Sequence, residues 1–241
     1  YDDSALVEVP LDKYGRLCIK SFKKILTASD YPILGIVTLF GSTERGTVDD
    51  IQKVNHILSL HGDKKIWHHV DAAYGGFFAC APHASNSYLA KQTDALRYIE
   101  SLTLDPHKLG YVPYGCGAFL CRKSRDYFYS DVEAPYIQFK SAQEAGVQSV
   151  EGSRPATGAA ATWLTSKSIG FNSDGLGRIL SRHLETKSKF QNELTKNFKN
   201  LIFTEGSDLN ILCWTIKGQS KSLSEANSKV DQLFADFPKQ S

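Results

Sequence analysis

Apolar positions along the chain fall into short blocks whose period changes from two to three or four. Leu34 to Phe40 is an unbroken apolar and β-branched run ending at Gly41, the pattern of a buried strand. Thr47 with Asp50 three residues on has the form of a capping box. Val48, Ile51, Val54, Ile57 and Leu58 then recur at helical spacing up to Gly62, which predicts a helix. Ile66 to Val70 predicts the next strand, running into Asp71 and the small residues Ala72-Ala73-Tyr74-Gly75-Gly76, where the backbone is expected to pass close to something. A helix over Tyr88 to Arg97, a strand over Ile99 to Leu104 stopped by Asp105-Pro106, and a strand over Gly117 to Cys121 follow. Strands alternating with helices in this way predict a mainly parallel α/β sheet.

Beyond Tyr129 the pattern changes. Residues 130 to 157 are polar, contain Gly and Pro, and read as a long loop. Gly158 to Ile169 and Leu176 to Phe198 read as helices, Leu209 to Ile216 as a strand, and Ser222 with Glu225 as the start of a last helix carrying Val230, Leu233 and Phe234. This tail has the form of the beginning of a smaller α/β lobe.

Composition narrows the picture. Of 241 residues, 28 are Lys or Arg and 26 Asp or Glu, so a net charge of +2 gives no reason to expect nucleic acid or a membrane surface as partner. Cys18, Cys80, Cys116, Cys121 and Cys213 are scattered, with no Cys-x-x-Cys, and fit a reduced, cytoplasmic protein. No apolar run approaches the length that spans a bilayer. There is no methionine, even at position 1, so the chain is expected to be a piece of a longer protein.

Three polar clusters sit at predicted carboxyl ends of strands, where ligands bind in open α/β sheets. They are Gly41-Ser42-Thr43, Asp71 with Ala73, and Asp105-Pro106-His107-Lys108. Each taken singly has an ordinary turn or surface role. Together they offer a hydroxyl, a carboxylate that can face a cationic ring nitrogen, and an amine that can form a Schiff base. His68 and His69 lie on a predicted strand and are read as hydrogen-bonded structural residues; no metal site is expected.

The segments Gly41-Ser42-Thr43-Glu44-Arg45-Gly46-Thr47-Val48-Asp49, His69-Val70-Asp71-Ala72-Ala73-Tyr74-Gly75-Gly76, Asp105-Pro106-His107-Lys108-Leu109-Gly110-Tyr111-Val112-Pro113-Tyr114 and Glu151-Gly152-Ser153-Arg154 resemble group II decarboxylases dependent on pyridoxal 5′-phosphate (PLP), bacterial tyrosine decarboxylases above all. The resemblance covers roughly residues 34 to 216 and implies a fold-type I PLP enzyme, a homodimer with active sites at the subunit interface. Residues 1–165 would then be the C-terminal part of the large PLP-binding domain and 166–241 the start of the small C-terminal domain. The N-terminal part, which in relatives supplies the ring-stacking group and much of the phosphate loop, would lie outside the chain.

Carried over by the resemblance, Lys108 would form the internal aldimine and Asp71 would pair with the protonated ring nitrogen. His107 would contact the phosphate or the substrate carboxylate, Ala73 would pack on the ring, Thr43 would sit beside it, and Ser153 would reach the phosphate from the neighbouring subunit. Relatives also use a tyrosine on a mobile segment as proton donor; Tyr114 is the candidate, flanked by Gly110 and Gly115 and following the extended Val112-Pro113, with Tyr111 as its rival. The implied reaction is decarboxylation of an L-amino acid, an aromatic one such as tyrosine first, to the amine and carbon dioxide. An acidic substrate, an aldehyde lyase of the sphingosine-phosphate type, and a catalytically silent dimerisation module are the alternatives.

Overall fold

The computed structural model describes residues 5–61, 66–130, 154–218 and 222–236. Its centre is a four-stranded sheet in the order β1 (Gly35–Leu39), β2 (Trp67–Asp71), β3 (Ser101–Leu104), β4 (Ala118–Cys121). The first three strands are parallel and β4 returns antiparallel on β3, so the expected mainly parallel α/β sheet is the one observed. Helices α2 (Ile51–Ser59) and α3 (Tyr88–Ala95) make the two crossovers, as parallel pairing requires.

Several local readings change. The first crossover helix is capped by Asp50, whose side chain accepts the Lys53 N–H at 3.1 Å. Thr47, expected to open the capping box, is buried one turn earlier in the loop that leaves β1. An unanticipated helix, α1 (Ile19–Ala28), precedes the sheet; Phe22 and Leu26, four apart on one face, pack with Leu17, Val54 and Ile66. Helices α4 (Thr157–Ser168), α5 (Leu176–Asn197) and α6 (Leu223–Asp236) lie where periodicity puts them. The predicted strand over Leu209 to Ile216 shrinks to β6 (Trp214–Ile216), which pairs antiparallel with an unforeseen β5 (Leu201–Phe203). Leu209 leaves the ladder because its N–H is taken by the Gly46 carbonyl at 3.1 Å and its side chain is wholly buried in the main core.

That core lies between one face of the sheet and the start of α5. Phe40, Val70, Phe78, Leu176, Leu180 and Leu209 are all fully inaccessible, each stabilising the fold by about 1.5–3 kcal/mol through burial. The amino end of α5 sits tight on the 3-10 turn Gly76–Cys80: a Cβ on Gly177 would fall 2.1 Å from the Cys80 carbonyl oxygen.

Both strand histidines are structural. Asn55 directs its amide nitrogen to the Ala95 carbonyl, so its oxygen, 2.7 Å from His68 Nδ1, accepts a proton from that ring nitrogen. His68 Nε2 is then left to accept from the Thr38 hydroxyl at 2.8 Å. His69 meets the Ser101 and Thr103 hydroxyls at 2.8 and 3.0 Å and stacks on Phe119.

Burial pushes the His68 imidazole down to about 4, with the neighbouring His69 adding to the effect. Between the ordinary histidine value and that one, the unfolded chain binds more protons than the folded one, so stability falls as pH falls. Lowering the pH from 6.5 to 5 should therefore cost about 1–2 kcal/mol through His68 alone. Denaturant titrations across this window should show that slope in the wild type and a flatter one in His68→Gln. An equally steep slope in the variant would assign the dependence elsewhere.

Candidate active site

The loops at the carboxyl ends of β1, β2 and β3 converge because glycine lets them. A Cβ on Gly75 would lie 2.2 Å from the Phe40 carbonyl oxygen, and one on Gly41 would lie 2.8 Å from Gly75 Cα, so the first two loops touch backbone to backbone. Leu209 closes the contact from outside, its Cδ1 being 2.6 Å from the Gly75 Cβ position. It is kept there by Asp208, which takes the Arg16 guanidinium at 2.6 Å and the Val48 N–H at 2.8 Å. Arg16 also lies over the Tyr88 ring, whose hydroxyl donates to the Val48 carbonyl. Burial pushes the Tyr88 hydroxyl far up, so it stays a donor.

Asp71 is the last residue of β2, and its Oδ1 accepts the Ala73 N–H at 3.0 Å, which aims the carboxylate along the rim. The Ala73 carbonyl in turn accepts the Asp105 N–H at 3.3 Å, joining this loop to the end of β3. From Asp105 the chain turns tightly: Lys108 N–H donates to the Asp105 carbonyl at 3.0 Å and Val112 N–H to the Pro106 carbonyl at 3.1 Å. Gly110 is pressed between the Pro106 carbonyl and the Phe77 ring, where its missing Cβ would be 2.6 and 2.8 Å from them. The turn presents Lys108 with about a third of its side chain exposed and Nζ 2.9 Å from Asp105 Oδ2.

The His107 ring is held by the Cys116 backbone and has Nε2 3.6 Å from the same Asp105 oxygen. Tyr114 stacks on that ring, centroids 4.5 Å apart, with the rest of its side chain in solvent. Its rival Tyr111 adopts a left-handed backbone, φ 58°, and its hydroxyl meets His183 Nε2 on α5 at 3.0 Å. Asp71, Ala73, His107, Lys108 and Tyr114 thus gather on neighbouring strand ends. Thr43 is exposed in the adjoining loop after β1, and Ser153 lies outside the described residues.

Two residues of this rim were given no role from sequence. Asp105 was named only as a member of its polar cluster, although an acid three residues before the lysine is a readable signal. His183, 72 positions from Tyr111, carried none.

The donor set fits PLP. A carboxylate can face its cationic ring nitrogen, an accessible amine its aldehyde, a small residue its flat ring, and an imidazole its anionic groups. The conserved domain of pyridoxal-dependent decarboxylases matches residues 3–217. The chain is 27% identical to an L-tyrosine decarboxylase of Enterococcus faecium over 93% of its own length and 44% of that protein. It is 33% identical to a probable L-tyrosine/L-aspartate decarboxylase of Methanococcus maripaludis over 76% of itself and 46% of the relative. Against an L-aspartate/L-glutamate decarboxylase of Pyrococcus horikoshii the figures are 31%, 81% and 49%. The chain therefore spans just under half the length of these relatives. In fold it is similar to Oryza sativa TDC with PLP and tryptamine, with a TM-score of 0.79 and 17% identity over 98% of this chain and 49% of that one. The mouse CSAD apo form gives a TM-score of 0.75, with 21% identity over 94% and 47%.

The glycine contact makes a demand that can be tested. In Gly75→Ala the new methyl meets a backbone oxygen that cannot step aside, so the strand-end loops must separate. A loss of about 2–4 kcal/mol is expected, read as a lowered melting temperature. A melting temperature within about 2 °C of wild type would mean that the loops do not press on each other as described.

Proposed function

The chain belongs to the pyridoxal-dependent decarboxylase family, and on that premise we propose that it carries the lysine-bearing part of a longer enzyme that removes carbon dioxide from an L-amino acid. The observation that carries this reading is the delivery of Asp71 and Lys108 from adjacent parallel strand ends to one rim, linked through Ala73 and Asp105. When bound, PLP supplies a cationic conjugated ring that takes up the electron pair left behind by the departing carboxylate carbon.

Around that chemistry each residue has a task. Lys108 anchors the cofactor covalently through Nζ. Asp71 keeps a proton on the ring nitrogen, since a nearby carboxylate favours the charged form. Ala73 leaves room for the flat ring, Thr43 borders it, and His107 meets the phosphate or the substrate carboxylate. The family resemblance implies a homodimer with a shared site, in which Ser153 would contact the phosphate from the second subunit. Tyr114 brings its hydroxyl proton to the substrate α-carbon once carbon dioxide has gone. Its exposed ring, stacked on His107, supports that role over Tyr111, whose hydroxyl is committed to His183.

An aromatic amino acid such as tyrosine is the favoured substrate, supported by the similarity to L-tyrosine decarboxylases; the aspartate and glutamate decarboxylases among the relatives make acidic amino acids the comparison set. The proposed division into a large-domain part, 1–165, and a small-domain part, 166–241, falls within α4; β5 and β6 form a sheet of their own, whereas Leu176, Leu180 and Leu209 pack in the main core. No helix among the described residues is long and apolar enough to cross a membrane, and a cytoplasmic enzyme is the reading in keeping with five unpaired cysteines.

Borohydride reduction of the PLP-loaded, full-length protein followed by peptide mapping should leave the pyridoxyl group on Lys108. Carbon dioxide release should be largest with tyrosine in a panel that includes aspartate and glutamate. A label on another lysine sinks the anchor assignment, and preference for an acidic amino acid sinks the aromatic one.

Tyr114→Phe should retain cofactor but slow amine formation by about 10²-fold or more, with aldehyde and pyridoxamine phosphate appearing as side products. Product analysis beside Tyr111→Phe decides the donor: a defect in Tyr111→Phe alone transfers the role to Tyr111.

A further inference from the structure

Two carboxylates, Asp71 and Asp105, stand at neighbouring strand ends, and the lysine follows the second by three residues. An amine drawn to the first would neutralise the group needed opposite a cationic ring nitrogen. The amine is held by the second, at 2.9 Å. Asp105 is built to do this. Its N–H is tied to the Ala73 carbonyl and its own carbonyl accepts the Lys108 N–H, so its backbone is fixed on both sides. Pro106 restricts the turn that follows. Residue 117 is glycine, and a Cβ there would come within 3.2 Å of Asp105 Oδ1, so the carboxylate occupies space that another residue type would crowd. Its other oxygen faces Lys108 Nζ and, at 3.6 Å, His107 Nε2. The Lys108 side chain is 34% exposed, against 66% for Lys53 in its pair with Asp50, so this pair is less open to solvent.

We propose that Asp105 is the positioning residue of Lys108: it holds the free amine at the rim, oriented and apart from Asp71, and so keeps Asp71 available. The proposal rests on the reading of Lys108 as the anchoring lysine, but its test does not use that role. Asp105 acts through the lysine and is not itself a catalytic residue.

The test is competitive acylation of the cofactor-free, full-length protein with a trace of a neutral reagent such as acetic anhydride, the extent at each lysine being read by mass spectrometry. An amine held at 2.9 Å by a carboxylate must leave that contact before it meets the reagent, so wild-type Lys108 should label less than other lysines of similar exposure. Asp105→Asn keeps the shape and removes the charge. It should raise labelling of Lys108 by about tenfold, equivalent to roughly 1.4 kcal/mol, and leave the other lysines unchanged. Asp105→Glu, which restores the charge, should return Lys108 to within about threefold of wild type. Unchanged Lys108 labelling in Asp105→Asn overturns the proposal. So does a rise at all lysines together with a lower melting temperature, which would make Asp105 a fastener of the turn only. A pyridoxyl label on a different lysine in the loaded protein would overturn the proposed function while leaving this result standing.

Discussion

Everything at the candidate site depends on two strand-end loops touching where neither has a side chain. The Phe40 carbonyl lies where a Cβ on Gly75 would be, Gly41 fits into the same contact with φ 101°, and Leu209 fills the outer side. Backbones that approach this closely fix the height of Asp71 and Ala73 relative to the loop after β1, and through the Ala73 to Asp105 hydrogen bond they also fix the lysine turn. The partly buried Arg16–Asp208 pair serves the same contact from a distance, since Asp208 holds the segment that carries Leu209. Residues near both ends of the chain are thus committed to one small patch of glycine.

Much of this was legible in the sequence, for physical reasons. Alternation of strand and helix rests on local periodicity, and Asp71 and Lys108 stand out because they fall at or just beyond the carboxyl ends of predicted strands. The small residues at 72 to 76 signalled close backbone approach, and the structure supplies the partner, Phe40. What escaped is of other kinds. Strands of three residues such as β5 and β6 contain too few positions to express a period. Helix α1 has an apolar stripe, but Lys20, Lys23 and Lys24 dilute it. The choice of Asp50 over Thr47 as cap turns on which residue points into the loop core, a tertiary matter. Leu209 reads as a strand residue until the Gly46 carbonyl claims its N–H. Pairings such as Tyr111 with His183 arise only when distant segments are folded together.

The polar interior shows a division of labour. His68, with its two ring nitrogens satisfied by Asn55 and Thr38, ties the sheet to α2 and is kept neutral by burial. It lies toward the middle of the strands and holds the frame. The groups at the strand ends are more open, with Lys108 a third exposed, and a third is enough for an amine to be reached. Place in the fold therefore separates the histidine within the strand that stabilises from the one, His107, that stands at the rim.

Helix α5 links these levels. Its first turn is locked against the Gly76–Cys80 turn, and its far end, about 32 Å away at 1.5 Å per residue, leads into β5. His183 sits only about 10 Å from the locked end and grips Tyr111, three residues past Lys108. The helix is mechanically a lever: its long arm carries the second sheet and its short arm bears on the lysine turn.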